Sequence, residues 1–151
     1  MNVFRHAKTC RKRRAGDAYH TAAFLMIRGR RAEFIEGELP AAAIPVCPEN
    51  EIRCGDAEVC SDVSGQRESY SAKILRVYKD EGCRDLLLQI TDPRLIDLTG
   101  GIVQGMSGSP IVQNGRLVGA VTHVLVSDPL KGYGISAEAM LRAEQGLSEA
   151  A

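Results

Sequence analysis

The chain has no tryptophan, and aromatic residues make up only 5% of its 151 residues. Proteins that stack single-stranded nucleic acid need several exposed aromatic side chains. Basic clusters are also missing from most of the chain, because residues 32–151 hold ten Lys and Arg against eighteen Asp and Glu. A nucleic-acid groove needs clustered basic residues to replace the counterions of the phosphates. We therefore predict no nucleic-acid partner.

Metal-binding and membrane-spanning motifs are scarce as well. The chain has five cysteines, Cys10, Cys47, Cys54, Cys60 and Cys83. They include no Cys-x-x-Cys pair, and their odd number leaves at least one without a partner in the chain. Three of them, at 47, 54 and 60, form a weak candidate for a metal site or a disulfide. We predict no metal and no cofactor. No apolar run reaches 18 residues, so no membrane-spanning helix is expected.

Residues 1–31 differ from the rest of the sequence. They carry nine Lys and Arg and a single acidic residue, Asp17. We expect them to form a basic leader that is disordered or not native to the fold, with an arm for nucleic acid or a membrane surface as a minor alternative. The apolar stretch "TAAFLMI" is too short for an export signal, and the basic segment "RGRR" follows it directly. The chain as written is therefore expected in the cytoplasm.

Short strand patterns recur along the chain, with turn signals between them and no alternation with helices. The runs are Thr21–Ile27, Ala32–Ile35, 57–61, 70–78, 85–91, 109–113, 116–126 and Tyr133–Ser136. Such a pattern predicts a mainly β fold, an antiparallel barrel or sandwich. A C-terminal helix is predicted from Ser136, its N-cap, to Gly146.

Turn residues give the strand connections. Asn114-Gly115 between two apolar runs predicts a type I′ hairpin. Asp92-Pro93 ends a strand, because proline has no N–H for the ladder, and opens a predicted 15-residue loop from Pro93 to Ser107. Asp128-Pro129 is predicted to end the strand that follows the hairpin.

The stretch "GGIVQGMSGSP" surrounds Ser107 with glycines. A serine hydroxyl becomes a good nucleophile only when a base removes its proton. The oxyanion that forms needs fixed donors, and the backbone N–H groups of Gly105 and Ser107 are placed to supply them. The same spacing also fits a small residue in a tight turn, so the sequence alone leaves both interpretations open.

Four segments, "TDPRL", "GGIVQGMSGSP", "GAVTH" and "DPLKGYG", resemble the carboxyl end of the stage IV sporulation protein B peptidases, densely from Leu86 to Leu141. The resemblance implies a trypsin-like β-barrel, the incomplete C-terminal part of a double-barrel serine peptidase, over residues 32–151. It also implies that Ser107 is the nucleophile and Asp92 the acidic member of the triad. By the same resemblance, the substrate is a polypeptide, in the family a membrane-bound sporulation signalling protein. The family acts between forespore and mother cell.

The histidine base is the missing part of this pattern. The family places it in an upstream Gly-His segment, and this chain has no Gly-His dipeptide. Its histidines are His6 and His20 in the leader and His123 in the "VTH" strand, where a core or barrel-face role is expected. One hypothesis is a serine endopeptidase whose base is His20 or comes from a chain that supplies the missing N-terminal half. The other is an N-terminally truncated, catalytically inactive peptidase fragment or a protein-binding module.

Overall fold

A computed structural model describes residues 24–28, 31–36, 39–40, 44–78 and 85–142. In chain order its elements are β1 (Phe24–Arg28), β2 (Arg31–Glu36), β3 (Leu39–Pro40), β4 (Ile44–Pro45), a 3-10 turn (Glu49–Glu51), β5 (Gly55–Ser61), β6 (Glu68–Val77), β7 (Leu86–Ile90), α1 (Pro93–Thr99), β8 (Pro110–Gln113), β9 (Arg116–Leu125) and β10 (Asp128–Ser136). A second helix, α2, covers residues 137–142. Within these ranges, no helix is long and apolar enough to cross a membrane.

Strands β5 to β10 form a closed antiparallel barrel in the order β10-β7-β6-β5-β8-β9. A separate small sheet contains β1, β2 and β3, and β4 also pairs with β2. The two strands predicted around Gly29 are therefore present as β1 and β2. The predicted fold class, a mainly antiparallel β-barrel with a C-terminal helix, is confirmed. Most of the predicted leader, residues 1–23, lies outside the described residues, and the domain boundary at residue 31 stays a prediction.

Alternate positions of the strands fill the barrel interior. The buried side chains of β6 and β7 are Tyr70, Ala72, Ile74, Leu86, Leu88 and Ile90. Each large aliphatic side chain that is fully buried stabilises the fold by about 1.5–3 kcal/mol. The alternation of β6 is interrupted after Ile74, where the pairing with β7 shifts and Leu75 becomes an extra, exposed residue. This bulge explains the imperfect alternation of the sequence there.

The Asn114-Gly115 hairpin is confirmed. Asn114 has a φ of 52° and Gly115 a φ of 71°, so both central residues of the turn lie in the left-handed region. A type I′ turn requires that conformation, and its twist matches that of the flanking strands. The turn joins β8 to β9, which pair from Gln113↔Arg116 to Pro110↔Ala120.

The loop predicted from Pro93 to Ser107 is wrong in its first half, which forms helix α1. The Asp92 side chain accepts a hydrogen bond from the Arg94 N–H and caps the helix, while Pro93 occupies a first-turn position where no N–H is needed. Gly100, with a φ of 76°, ends the helix in the left-handed conformation. The proline that stops strand β7 therefore also starts a helix.

The strand predicted over 116–126 ends at Leu125, before Asp128-Pro129 as expected, but these two residues already belong to β10, which begins at Asp128. Its pairing with β9 shifts between Asp128 and Gly132, so Pro129 lies in a bulge. A bulge leaves a residue without a ladder partner, and proline is tolerated there. The final strand is accordingly nine residues long rather than four.

Helix α2 begins where the sequence predicts. The Ser136 hydroxyl accepts a hydrogen bond from the Ala139 N–H at 3.1 Å, as an N-cap does. The helix packs outside the barrel, where Ala137 and Leu117 are buried together with Val46. The predicted helix end at Gly146 lies outside the described residues.

Candidate active site

The strand register places Asp92 and Ser107 at one end of the barrel. The end of β7 meets the beginnings of β6 and β10, and β5 ends where β6 begins. Because β8 runs antiparallel to β5, it begins at that same end. Asp92 lies two residues after β7, and Ser107 lies three residues before β8. We call this end of the barrel the serine rim.

The Ser107 loop is tied to strand β9 by two backbone hydrogen bonds directly after the serine. The N–H of Gly108 donates to the carbonyl of Val121 at 2.7 Å, and the Val121 N–H donates to the Ser109 carbonyl at 2.9 Å. Met106 is buried beneath the loop, whereas Ser107 is exposed. The loop thus presents the serine to solvent from a fixed backbone.

The Ser107 hydroxyl has a backbone acceptor. Its Oγ donates to the carbonyl oxygen of Thr122 at 2.9 Å. The pairing of β9 with β10 shifts beside this position, between His123 and Val121, so that Thr122 is an extra residue in β9. Bulges are common next to active sites, where they redirect a group. Here the bulge coincides with the carbonyl that holds the serine hydroxyl.

The two N–H groups predicted to form an oxyanion hole are available. Met106 and Gly108 use their N–H groups within the fold, donating to Val103 and Val121. Among the residues that the structure describes, the N–H groups of Gly105 and Ser107 have no hydrogen-bond acceptor. Gly105 has a φ of 110°, a conformation that only glycine adopts readily. The loop therefore keeps two donors beside an exposed hydroxyl.

Asp92 is buried and accepts four hydrogen bonds. Its Oδ1 accepts from the N–H of Arg94 at 2.9 Å and from Arg94 Nε at 3.1 Å. Its Oδ2 accepts from the Ser71 N–H at 3.0 Å and from Arg94 Nη2 at 2.9 Å. The hydrogen bonds from the Arg94 side chain, together with those from the two N–H groups, hold the pKa of the carboxyl far below its ordinary value. Asp92 is thus an anion that joins β6, β7 and α1.

Arg94 connects Asp92 to a second acidic group. The Arg94 guanidinium lies 3.4 Å from Glu68 Oε1 and 5.2 Å from the centre of the Tyr70 ring. The Tyr70 hydroxyl donates to Glu68 Oε2 at 2.9 Å, and Ser64 donates to the same oxygen. The hydrogen bonds from these two hydroxyls lower the pKa of Glu68. None of these residues was predicted from the sequence, because only the pairing of β6 with β7 brings them together.

The structure does not connect the two predicted triad members directly. Among the described residues, Asp92 and Ser107 share no hydrogen bond, although they lie at the same rim. Of the three histidines, His123 lies within the described ranges, on the exposed outer side of β9 opposite Tyr133. The barrel-face role expected for it fits this position. His6 and His20 lie outside the described residues.

The start of the serine loop is anchored by Gly101. The Ile102 N–H donates to the Pro129 carbonyl at 2.8 Å, and a Cβ on Gly101 would overlap that same carbonyl group. Thr99 Oγ1 donates to the Gly101 carbonyl at 2.6 Å. In the sequence Gly101 is only one glycine of a loop, whereas in the fold it allows that loop to approach the start of β10 closely.

The thiols do not form a metal or disulfide site in the described part of the chain. Cys47, Cys54 and Cys60 are all unpaired, and no group of three or more potential metal ligands occurs there. Burial raises the pKa of Cys47 and of Cys60, which keeps both thiols protonated. Cys10 and Cys83 lie outside the described residues.

Comparison with family models identifies a peptidase family. The family model described as SpoIVB peptidase S55 matches residues 8–141. Among solved structures, the active form of the Rv3671c protease from M. tuberculosis is similar, with 18% identity and a TM-score of 0.46. That alignment covers 74% of this chain and 61% of the protease, so the chain spans less than two thirds of that structure's length. A search of curated proteins gave no match.

Proposed function

Because the chain belongs to the SpoIVB peptidase S55 family, we propose that it is the nucleophile-bearing part of a serine endopeptidase, with Ser107 as the attacking residue. The substrate class that follows from this family is a polypeptide. A membrane-bound sporulation signalling protein, cleaved between forespore and mother cell, is the specific substrate that we propose from the family resemblance. No cofactor is needed for this chemistry.

The observation that carries the proposal is the combination of an exposed serine with two unused backbone donors. Ser107 is exposed on a loop in which the neighbouring N–H groups of Met106 and Gly108 are hydrogen-bonded within the fold. No described residue accepts from the N–H groups of Gly105 and Ser107. Preorganised donors of this kind stabilise the oxyanion of acyl transfer, and one such donor contributes about 10²–10³ in rate. A serine in an ordinary tight turn has no need of them.

The proposed reaction follows from these positions. Ser107 Oγ bonds to the carbonyl carbon of the scissile peptide while its proton passes to a base. The N–H groups of Gly105 and Ser107 hold the oxyanion. The carbon–nitrogen bond then breaks, the base returns the proton to the leaving amine, and water hydrolyses the acyl-enzyme. Asp92 is proposed as the acid that orients the base.

The base comes from outside the described residues in this proposal. The Ser107 hydroxyl donates to the Thr122 carbonyl, and a carbonyl cannot remove its proton. The hydroxyl must therefore rotate away from Thr122 toward an imidazole. His20, or a histidine on a chain that supplies the N-terminal half of the peptidase, is the proposed source.

A second candidate is a catalytically inactive peptidase-like fragment or protein-binding module. Two observations favour it. The Ser107 hydroxyl donates its proton to the Thr122 carbonyl, and the Asp92 carboxylate already accepts four hydrogen bonds. In this case the serine loop would persist without turnover, because removing a triad base typically costs several orders of magnitude in rate.

Labelling with a fluorophosphonate probe distinguishes the two candidates. The probe reacts with activated serines, so the peptidase should be labelled in the parent chain and not in Ser107→Ala. Ser127→Ala, which removes an exposed serine from the β9–β10 turn, is the matched control and should be labelled like the parent. Absence of labelling in a parent chain that gives a folded circular dichroism spectrum would refute a peptidase whose base lies within this chain, and would leave the binding module as the function of the chain alone.

A further inference from the structure

The Asp92 carboxylate has no acceptor site left for a catalytic base. A carboxylate offers about four lone-pair positions, two on each oxygen. Two of them accept the N–H groups of Ser71 and Arg94, and the other two accept Nε and Nη2 of the Arg94 side chain. An imidazole N–H can bind to Asp92 only if one of these four donors leaves.

The Arg94 side chain is the donor that is free to leave. It is 58% exposed, whereas the Asp92 side chain is 7% exposed. The two backbone N–H groups are held by the cap of α1 and by the pairing at the end of β7, where Asp92 N–H donates in return to the Ser71 carbonyl at 3.0 Å. They keep the carboxylate in place when the guanidinium moves.

In its observed position the guanidinium also contacts a second anion, Glu68. Glu68 Oε1 lies 3.4 Å from Arg94 Nη1, and the Ser69 carbonyl accepts from Nη2 at 2.8 Å. The Tyr70 ring lies under the guanidinium and provides a surface that favours a cation. Arg94 can therefore give up Asp92 without losing every anionic partner, because Glu68 remains beside it.

We propose that Arg94 is a positioning residue that acts as a latch on Asp92. With the latch closed, the guanidinium donates hydrogen bonds to both oxygens of Asp92 and excludes the base. With the latch open, Arg94 pairs with Glu68 over Tyr70, and Asp92 receives the imidazole N–H. The inference rests on the proposed function, since a latch on Asp92 matters only if Asp92 orients a base for Ser107.

The latch predicts opposite effects for two neighbouring substitutions. Arg94→Gln removes the competing guanidinium, so the rate of fluorophosphonate labelling at Ser107 should rise. A rise of about tenfold would correspond to a latch closed in about nine molecules out of ten. Glu68→Gln removes the open position and should lower the rate. If Arg94 only stabilised the rim, both substitutions would weaken one ion-pair network and change the rate in the same direction.

Three further variants complete the test. Arg94→Lys keeps the charge but cannot bind both carboxylate oxygens, so its rate should lie between those of the parent and Arg94→Gln. The double variant should label like Arg94→Gln alone, because Glu68 acts through Arg94. Arg76→Gln is the matched control: Arg76 lies 5.4 Å from the Tyr78 ring centre, near the opposite end of the barrel, and its removal should leave the rate unchanged.

The possible results separate this inference from the function on which it rests. Opposite signs for Arg94→Gln and Glu68→Gln support the latch. A parent that labels at Ser107 while Arg94→Gln labels no faster, or while both substitutions lower the rate, overturns the latch alone. No labelling in any folded variant refutes the proposed function for the chain acting alone, and the latch together with it. If Arg94→Gln fails to fold, an unchanged or higher rate in Glu68→Gln overturns the latch.

Discussion

Replacing Asp92 by asparagine should destabilise the fold whether or not the chain is a protease. Asparagine has nearly the same shape but offers one acceptor oxygen instead of two, and its amide nitrogen donates. In either orientation, one backbone N–H, of Ser71 or of Arg94, faces that nitrogen and loses its acceptor. The same nitrogen also faces one donor of the Arg94 guanidinium.

The magnitude follows from these losses. A lost helix cap costs about 0.5–2 kcal/mol, and a buried N–H left without an acceptor costs about 1–3 kcal/mol. The two costs overlap, and we expect the free energy of unfolding at pH 7 to fall by about 2–3 kcal/mol in Asp92→Asn. Asp97→Asn makes the same chemical change at an exposed position of α1 and should stay within about 0.5 kcal/mol of the parent.

The difference between parent and variant should depend on pH with a definite sign. The pKa of Asp92 is lower in the folded chain than its ordinary value of 3.8, chiefly because the Arg94 side chain donates to the carboxylate. A carboxylate of this kind contributes its full stability above about pH 5 and loses it as the pH falls through the unfolded and then the folded pKa. The parent should therefore approach Asp92→Asn in stability as the pH is lowered from 5 to 2.

Urea unfolding followed by circular dichroism measures both quantities. An Asp92→Asn variant as stable as Asp97→Asn at pH 7 would refute the four-donor arrangement at Asp92. A stability difference that stays constant from pH 5 to 2 would show that the carboxylate is not held as an anion. Because Asp92→Asn is expected to be less stable, its labelling rate must be measured at a temperature where the variant remains folded.

Three further predictions follow. Gly105→Ala should lower the labelling rate by about 100-fold, because a side chain disfavours the φ of 110° that presents the donor, whereas Gly65→Ala, with a φ of 93° and equally open surroundings, should leave that rate unchanged. Gly119→Ala should lower the free energy of unfolding by about 3 kcal/mol or more in a urea titration, because its Cβ would overlap a backbone carbonyl of β10. Gln113→Ala should cost about 2–4 kcal/mol in the same assay, since its buried amide makes three hydrogen bonds to the backbone of residues 53–56; a cost below 0.5 kcal/mol would contradict that role.

Features encoded by adjacent residues were predictable from the sequence. Asn114-Gly115 specifies its turn because both residues tolerate a positive φ, and Ser136 caps a helix through the N–H three residues on. In the turn and the cap the decisive contacts lie within a few residues of sequence, so pattern and chemistry coincide.

Features that depend on distant pairing were not predictable. Arg94 meets Glu68 and Tyr70 only because β6 pairs with β7, and Gly101 meets Pro129 only because the loop after α1 returns to β10. At two prolines the sequence predicted only the end of a strand, whereas Pro93 also begins a helix and Pro129 lies within β10. A missing N–H ends a ladder in the middle of a sheet, yet the same residue fits a first helical turn and a bulge, and tertiary pairing decides which of these it occupies.

The hydrogen bonds of the serine loop have a consequence for the order of folding. Ser107 and its acceptor Thr122 are only 15 residues apart, and the Asn114-Gly115 turn lies between them. Closing so short a segment costs little chain entropy, so the β8–β9 hairpin and the loop above it should form early, before the barrel closes between β10 and β7. In a hydrogen-exchange pulse during refolding, the amides of Gly108 and Val121 should gain protection before those of β7. The geometry around Ser107 thus depends chiefly on contacts within one hairpin and not on the residues that we propose to activate it.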